Sequence, residues 1–458
     1  MPVEPAAPVN GAGEAAMRNG RVVVGGNGAA GLAATPQGAT SNKVRIVSWA
    51  ARARREAGPI GWAAFLASSW TWCIGMFLPV LMVRDYGGWG WAVFALPNVF
   101  GAAAMGWVLR DRDASLSVQA AHLWACRWFS VVTVAFHAYF VVALVPRLIG
   151  DDFVLVAVAL LPVVALVWGS GGKRATLAGS AALAVSILAI LGYVALVGLN
   201  PLPVAQKPRT DLLWLAPVSI FGFFLSPYLD LTFHRARQAS TRAGGRTAFG
   251  VGFGVFFLAM IGFTALYARP LIAALDGSER LSIRAEPFVA ILAVHLAVQA
   301  AFTVVAHAQS LVDVEAGTRW RWLRSAAGGG VVVAFAVAMR WVVGHFPMYR
   351  GFAGQTLDSA ELVYRLFMAF YGLIFPTYVW LFMVPSMRKR RPVAARPPRP
   401  ATMVFFAAVV VLAAPGFWMG FIEGRMAWLL PAIGWVLISR VLLPKGPPIG
   451  SESAVGAG

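Results

Sequence analysis

Charge is scarce in this chain: Asp, Glu, Lys and Arg make up 12% of 458 residues, against 59% hydrophobic types. That balance excludes an ordinary soluble domain, whose core could not hide so much apolar surface, and requires lipid to cover the rest. Acid is scarcer still, with 19 Asp and Glu facing 38 Lys and Arg. Cysteine is nearly absent, and the two present, Cys73 and Cys126, make neither a disulfide framework nor a CxxC metal site. No apolar h-region with a small-residue cleavage site opens the chain. Residues 1–56, rich in Gly, Ala, Pro and Asn, are expected to be a disordered basic tail rather than a signal peptide, and residues 446–458 a second disordered tail.

One glycine pattern invites a cofactor reading. Between Arg21 and Gly31 a GxGxxG follows a run of valines, as in a dinucleotide-binding turn. Pro36 stops any helix, no second strand follows, and lipid-compatible sequence begins at Ile60, so no βαβ unit fits and no cofactor is expected.

What the chain has in abundance is long apolar runs. Scanning for stretches able to cross about 30 Å of hydrocarbon predicts an all-α integral membrane protein of about 12 transmembrane helices. They cover 60–83, 89–108, 128–148, 153–169, 175–199, 212–233, 249–268, 287–307, 328–346, 362–384, 402–421 and 426–443. With the N-terminus inside, 27 of the 38 basic residues fall in inside loops and tails and 9 in outside loops. The positive-inside rule therefore places both termini in the cytoplasm and the protein in a plasma or inner membrane. The basic clusters Lys43 to Arg55 and Arg388 to Arg399 read as topology determinants, with contact to lipid head groups a secondary role, and not as a nucleic-acid surface.

Two crossings are irregular at matching places. The first carries Ser68, Ser69, Trp70, Thr71, Trp72, Cys73 and Gly75 before Pro79; the sixth carries Gly222, then Ser226, Pro227, Tyr228 and Asp230. Each opens a block of five, which predicts a 5+5 inverted repeat, 60–199 and 212–384, with two C-terminal helices in 402–443. A broken helix frees backbone groups that lipid does not tolerate unless they line a cavity or bind something. Ser226 followed by Pro227 reads as an N-cap and first-turn proline, the start of a helix inside the membrane. Such a start suits an anionic group; the bland alternative is a proline kink repaired by a neighbour.

The runs from Trp72 to Pro79, Arg84 to Gly87, Phe94 to Asn98 and Gly101 to Gly106 resemble the opening of sodium/solute symporters and amino-acid permeases, which share the leucine-transporter fold. The resemblance covers two segments. It implies a binding site between segments 1 and 6, with segments 3 and 8 contributing. Families of this fold often carry paired hydroxyl residues on segment 8 for sodium, where this chain has only Thr303.

Depth along each crossing ranks the candidates. For the substrate they are Ser68, Ser69, Thr71, Trp72, Gly75, His137, Gly222, Ser226 and Tyr228. Asp230, His234 and Arg237 share an i, i+4, i+7 face near the cytoplasmic interface, either as an acid–base pair or gate or as an ion pair ending the helix. His295, Gln299, Thr303 and His307 form a polar stripe at i+4 spacing that must face protein or water, as a proton or ion path or as packing glue. Ion or proton coupling is assigned to Asp230, His234, His295, Gln299 and Thr303. His137 is a ligand or a satisfied buried imidazole. Arg340 and Arg365 are expected to snorkel to the outer surface. No metal site, catalytic residue or enzymatic activity is expected. The reading is a secondary transporter of a small solute, with a proton or sodium as partner. The alternatives are a membrane-embedded lipid-processing enzyme working around Asp230 and His234 at the cytoplasmic interface or around Asp151 and Asp152 outside, and a non-transporting sensor or assembly protein.

Overall fold

The computed structural model describes residues 57–168, 172–314, 321–346, 348–388 and 400–443. Both tails, the glycine pattern between Arg21 and Gly31, the cluster Lys43 to Arg55 and most of the cluster Arg388 to Arg399 lie outside the described residues. Apart from one short antiparallel hairpin, β1 (Met348–Arg350) and β2 (Thr356–Asp358), the described fold is helical. Nine helical stretches among the described residues are long and apolar enough to cross a membrane.

In chain order the helices are α1 (Pro59–Trp70), α2 (Cys73–Val108), α3 (Arg112–Ala121), α4 (Leu123–Ile149), α5 (Asp152–Trp168), α6 (Gly172–Val197) and α7 (Arg209–Leu229). They continue with α8 (Leu231–Ala239), α9 (Arg242–Leu275), α10 (Pro287–Val314), α11 (Arg321–His345), α12 (Ser359–Met387), α13 (Pro400–Ile422) and α14 (Met426–Ser439). Amphipathicity is weak in the long helices because side chains facing lipid are as apolar as those facing protein. Large apolar residues stand exposed on α5 (Leu155, Leu166), α6 (Leu188), α11 (Val331) and α13 (Val411). The apolar window of α10 is 72% buried, against 11% for α11, so α10 runs through the interior and α11 at the periphery.

Three sequence features set this packing. Gly87 breaks α2 with φ +65°, a left-handed conformation that favours glycine, and so divides the stretch between predicted segments 1 and 2. Gly179 lets α6 approach α1: a Cβ there would lie 2.6 Å from the Phe65 Cα. In α12, the π-turn Phe370–Ile374 hands the Phe375 N–H to the Phe370 carbonyl, and Pro376 has no N–H to offer, so the Tyr371 carbonyl is left for another donor. The Ser226 hydroxyl fills that vacancy at 3.3 Å.

Two expectations are corrected. Ser226 and Pro227 do not start a helix: they open a 3₁₀ turn, Ser226–Leu229, that ends α7. The new helix α8 starts after Asp230, whose carboxylate caps it by accepting from the Thr232 N–H, because a carboxylate at N-cap satisfies a first-turn donor that a preceding proline cannot reach. Arg365 does not snorkel outward. Its guanidinium is buried against Glu361, one helical turn earlier, at 2.5 Å, and donates to the Phe421 carbonyl at 2.8 Å.

Candidate functional site

Two helix interruptions meet inside the bundle. After Trp70 the backbone leaves the helix at Thr71 and extends at Trp72 before α2 begins at Cys73. The second interruption spans Ser226 to Asp230, the 3₁₀ turn that ends α7 and the cap that opens α8. The Thr232 hydroxyl joins them, 3.2 Å from Ser69 Oγ.

The freed backbone groups are met by side chains, as burial away from water demands. His137 accepts the Cys73 N–H on Nε2 at 3.2 Å, and its Nδ1, 2.7 Å from the Thr133 carbonyl, is the donor nitrogen. The Trp72 indole N–H donates to the Ser69 carbonyl. Trp70 donates its indole N–H to Asn98 Oδ1 at 2.6 Å. Since the carboxylate of Asp230 caps α8, the chain's own anion sits where a helix start could have received a foreign one.

A hollow of about 10 Å³, roughly one water, lies between the interruptions, lined by Trp70, Trp72, Ile74, Gly75, Asn98, Phe223, Ser226 and Tyr371. A larger cavity of about 70 Å³ adjoins it through Phe223 and Tyr371. Its apolar wall includes Leu78, Leu81, Val218 and Met368, and Asp85 and Arg365 stand at its polar edge. Of the residues expected to bind substrate, Trp72, Gly75 and Ser226 line the small hollow and Gly222 the larger cavity. Ser68, Ser69, Thr71, His137 and Tyr228 are buried beside the interruptions and line neither; Ser68 donates to the Gly179 carbonyl and Thr71 to that of Ala67.

The two ends of the bundle are held by different chemistry. At one end Arg84 on α2 and Arg365 on α12 share Glu361, Asp85 accepts from Arg84, and Lys207 reaches Asp85 at 2.9 Å. At the other end the bonds are mostly between neutral groups. His234 lies 2.8 Å from the Ser115 hydroxyl and 2.9 Å from the Tyr228 carbonyl, Gln238 donates to Ser115 and Gln119, and His122 bonds Tyr378 and Ser386. Arg237 is spent on the backbone carbonyls of Leu109 and Arg110. His234 and Arg237 therefore tie α8 to α3 and its approach and do not pair with Asp230.

Asp230 itself is fully buried. Its Oδ1 accepts from the Thr232 N–H and hydroxyl, both at 2.7 Å. The stripe on α10 is fully buried too: His295 and Gln299 bond Ser186 of α6, and His307 bonds Ser130 of α4.

Asn98, Ser186, Ser130, Tyr371 and Glu361 were not singled out by sequence. Glu361 and Arg365, an i+4 ion pair at the head of an apolar run, carried a signal; the lone polar residues carried none until partners were known. No protein-family model matches the chain, and no characterised protein matches it. Fold and site together define a class, a multi-pass helical membrane protein in which two interrupted helices meet around a buried hollow.

Proposed function

We propose that the chain is a secondary transporter that moves a small solute by alternating access, with the solute held between the interruptions of α1–α2 and α7–α8. One observation carries this reading: both helices leave helical geometry beside the place where the Ser69 and Thr232 hydroxyl oxygens approach to 3.2 Å, and a hollow lies between the two interruptions. Interrupted helices whose free backbone groups meet at a cavity are the usual means by which carriers bind a guest in the bilayer. An ionic cluster at one end, and mostly neutral hydrogen bonds with the Arg235–Asp313 pair at the other, supply two separately breakable closures. On this reading the chain makes twelve crossings as a 5+5 inverted repeat plus two, in the leucine-transporter manner, with both termini cytoplasmic and the ionic end outside. The hollow's aromatic wall with Ser226 and Asn98 at its polar side fits a solute with a compact apolar body. The enzyme alternative needs an open cleft at Asp230, and that carboxylate and His234 are fully enclosed.

The test is a panel of small solutes screened by thermal stabilisation of the purified protein, followed by uptake into proteoliposomes. A solute that raises Tm in the native chain and not in Ser226→Ala or Trp72→Ala is the expected result. A broad panel without a stabilising solute sinks the carrier.

A further inference from the structure

Five buried polar atoms lack a hydrogen-bond partner among the described residues: Oδ2 of Asp230, the N-cap of α8, and His307 Nε2, Thr303 Oγ1, Gln299 Oε1 and His295 Nε2 along α10. Their side chains are fully enclosed. Buried polar atoms are almost always satisfied, so one orphan invites a water and a row of them invites a row of waters. Four of the five recur every fourth residue on α10, a stripe about 18 Å long that winds by about 40° per step. At its end the carboxylate Oδ2 and the imidazole Nε2 confront each other at 4.0 Å.

We propose that Asp230 and His307 hold one exchangeable proton between them, delivered along a file of waters lodged against Thr303, Gln299 and His295. The inference deepens the transporter reading and rests on it only for what the proton would drive.

The chemistry at the pair favours a proton over a metal cation. A hard cation wants several oxygen ligands, whereas the group opposite Oδ2 is a ring nitrogen. A proton taken from water forms an O–H bond at Oδ2 and leaves hydroxide to the file. The new O–H points at the imidazole nitrogen, neutralises a carboxylate whose enclosure in apolar surroundings is otherwise unfavourable, and turns an unmade contact into a hydrogen bond. His307 is steadied for this role by Ser130 at 3.0 Å and by Trp72, edge-on with ring centroids 5.5 Å apart.

The other charged and titratable groups around the pair are accounted for. On α8, His234 is bonded on both nitrogens, Arg235 pairs with Asp313 of α10 and Arg237 holds backbone carbonyls. Cys126 and His137 of α4 and Tyr371 of α12 are buried near the pair; the Trp72 ring packs on both His137 and His307, and Tyr371 bonds Thr133. Six residues beyond His307, about 9 Å along the helix, Asp313 is engaged by Arg235 at 3.1 Å, so that end is closed by an ion pair.

Infrared difference spectroscopy of the purified full chain between neutral and acid pH, in sodium-free buffer and without solute, tests the site. A protonated carboxyl band that shifts in D₂O is expected in the native protein, absent in Asp230→Asn and displaced by about one pH unit or more in His307→Gln. If Asp230→Asn fails to fold, Thr303→Val and Gln299→Leu carry the test: the carboxyl should exchange with D₂O at least about tenfold more slowly while the native midpoint is kept. A band that survives Asp230→Asn, a midpoint unmoved by His307→Gln, or exchange unslowed in the α10 variants overturns the proposal. So does a band abolished by sodium at fixed pH, which would make the guest a metal cation. No solute enters these measurements, so a barren solute screen sinks the carrier and leaves the proton site standing, and the reverse also holds.

Discussion

Arg84 clasps Glu361 with both terminal guanidinium nitrogens, at 2.8 and 2.7 Å, and so ties α2 to α12 beside the larger cavity. Both partners are buried, and Glu361 is shared with Arg365. Removing one member of a buried pair leaves the others uncompensated, typically at about 3–5 kcal/mol. Glu361→Gln should therefore lower thermal stability strongly and loosen this end. With a reporter at Ser219→Cys, which lines the cavity, thiol labelling should quicken about tenfold over the native Glu361 background; equal rates would show that the clasp does not close the cavity. Cys73 and Cys126 are buried and unpaired, so background labelling is low.

His137 serves the interruption in α1–α2 as a backbone cap. Replacing it with Ala leaves the Cys73 N–H without its acceptor, a loss of about 1–3 kcal/mol. Gln at 137 keeps an acceptor within reach and should recover part of that loss in a thermal melt. Equal melts for Ala and Gln would assign His137 to packing alone.

Trp70 and Asn98 form a buried indole–amide pair across α1 and α2. Asn98→Ala should cost about 1–3 kcal/mol by stranding the indole N–H. In a Trp70→Phe background that N–H is absent, so the same change should cost measurably less. A double-mutant cycle reads the coupling directly, and zero coupling would remove the bond from the account.

Gly179 sets the spacing of α1 and α6. Because the atom an added Cβ would strike is the Phe65 backbone, a side-chain shift cannot absorb the clash. Gly179→Ala should destabilise by about 1–3 kcal/mol, and Tm in detergent measures it. A neutral effect would mean that the two helices are free to part.

Glu423, between α13 and α14, gives the pH prediction. Burial pushes its carboxyl up, but the Ala353 N–H at 2.9 Å, the Tyr349 hydroxyl at 2.7 Å and the Trp418 indole hold it below the usual range on balance. A carboxyl lowered in the folded state contributes stability above its unfolded range and loses it as pH falls through the folded value. The native protein should therefore melt above Glu423→Gln at neutral pH, and the gap should narrow steadily on acidification. A gap that stays constant would contradict this.

Much of the fold was written in the apolar runs, since lipid imposes a minimum length that few other contexts require. Each predicted run lies on one or more of the observed helices. The interruption after Trp70 was visible because Ser68, Ser69 and Thr71 crowd hydroxyls into an apolar stretch. The helix start after the second interruption was misplaced because the Ser226–Pro227 signature is local, whereas the Asp230 cap depends on where its carboxylate meets the Thr232 N–H. Arg365 was misread for a related reason. Position along a crossing says how deep a side chain lies but not which way it faces; Glu361, one turn earlier, was there to be read, but Arg84 and the Phe421 carbonyl, which complete the buried cluster, are remote in sequence. The α10 stripe could be recognised by spacing alone, yet its unmet atoms emerged only once Ser186 and Ser130 had claimed theirs.

The two ends are fastened unlike, five charged side chains at one and a single ion pair, Arg235 with Asp313, among neutral bonds at the other, so ionic strength acts unequally on them. Parting Arg84, Asp85, Lys207, Glu361 and Arg365 exposes charges that counter-ions can screen, whereas parting His234 from Ser115, or His122 from Tyr378 and Ser386, exposes neutral groups indifferent to salt. Added electrolyte thus loosens the end that holds five charges more than the end that holds one ion pair, without touching the hollow between them.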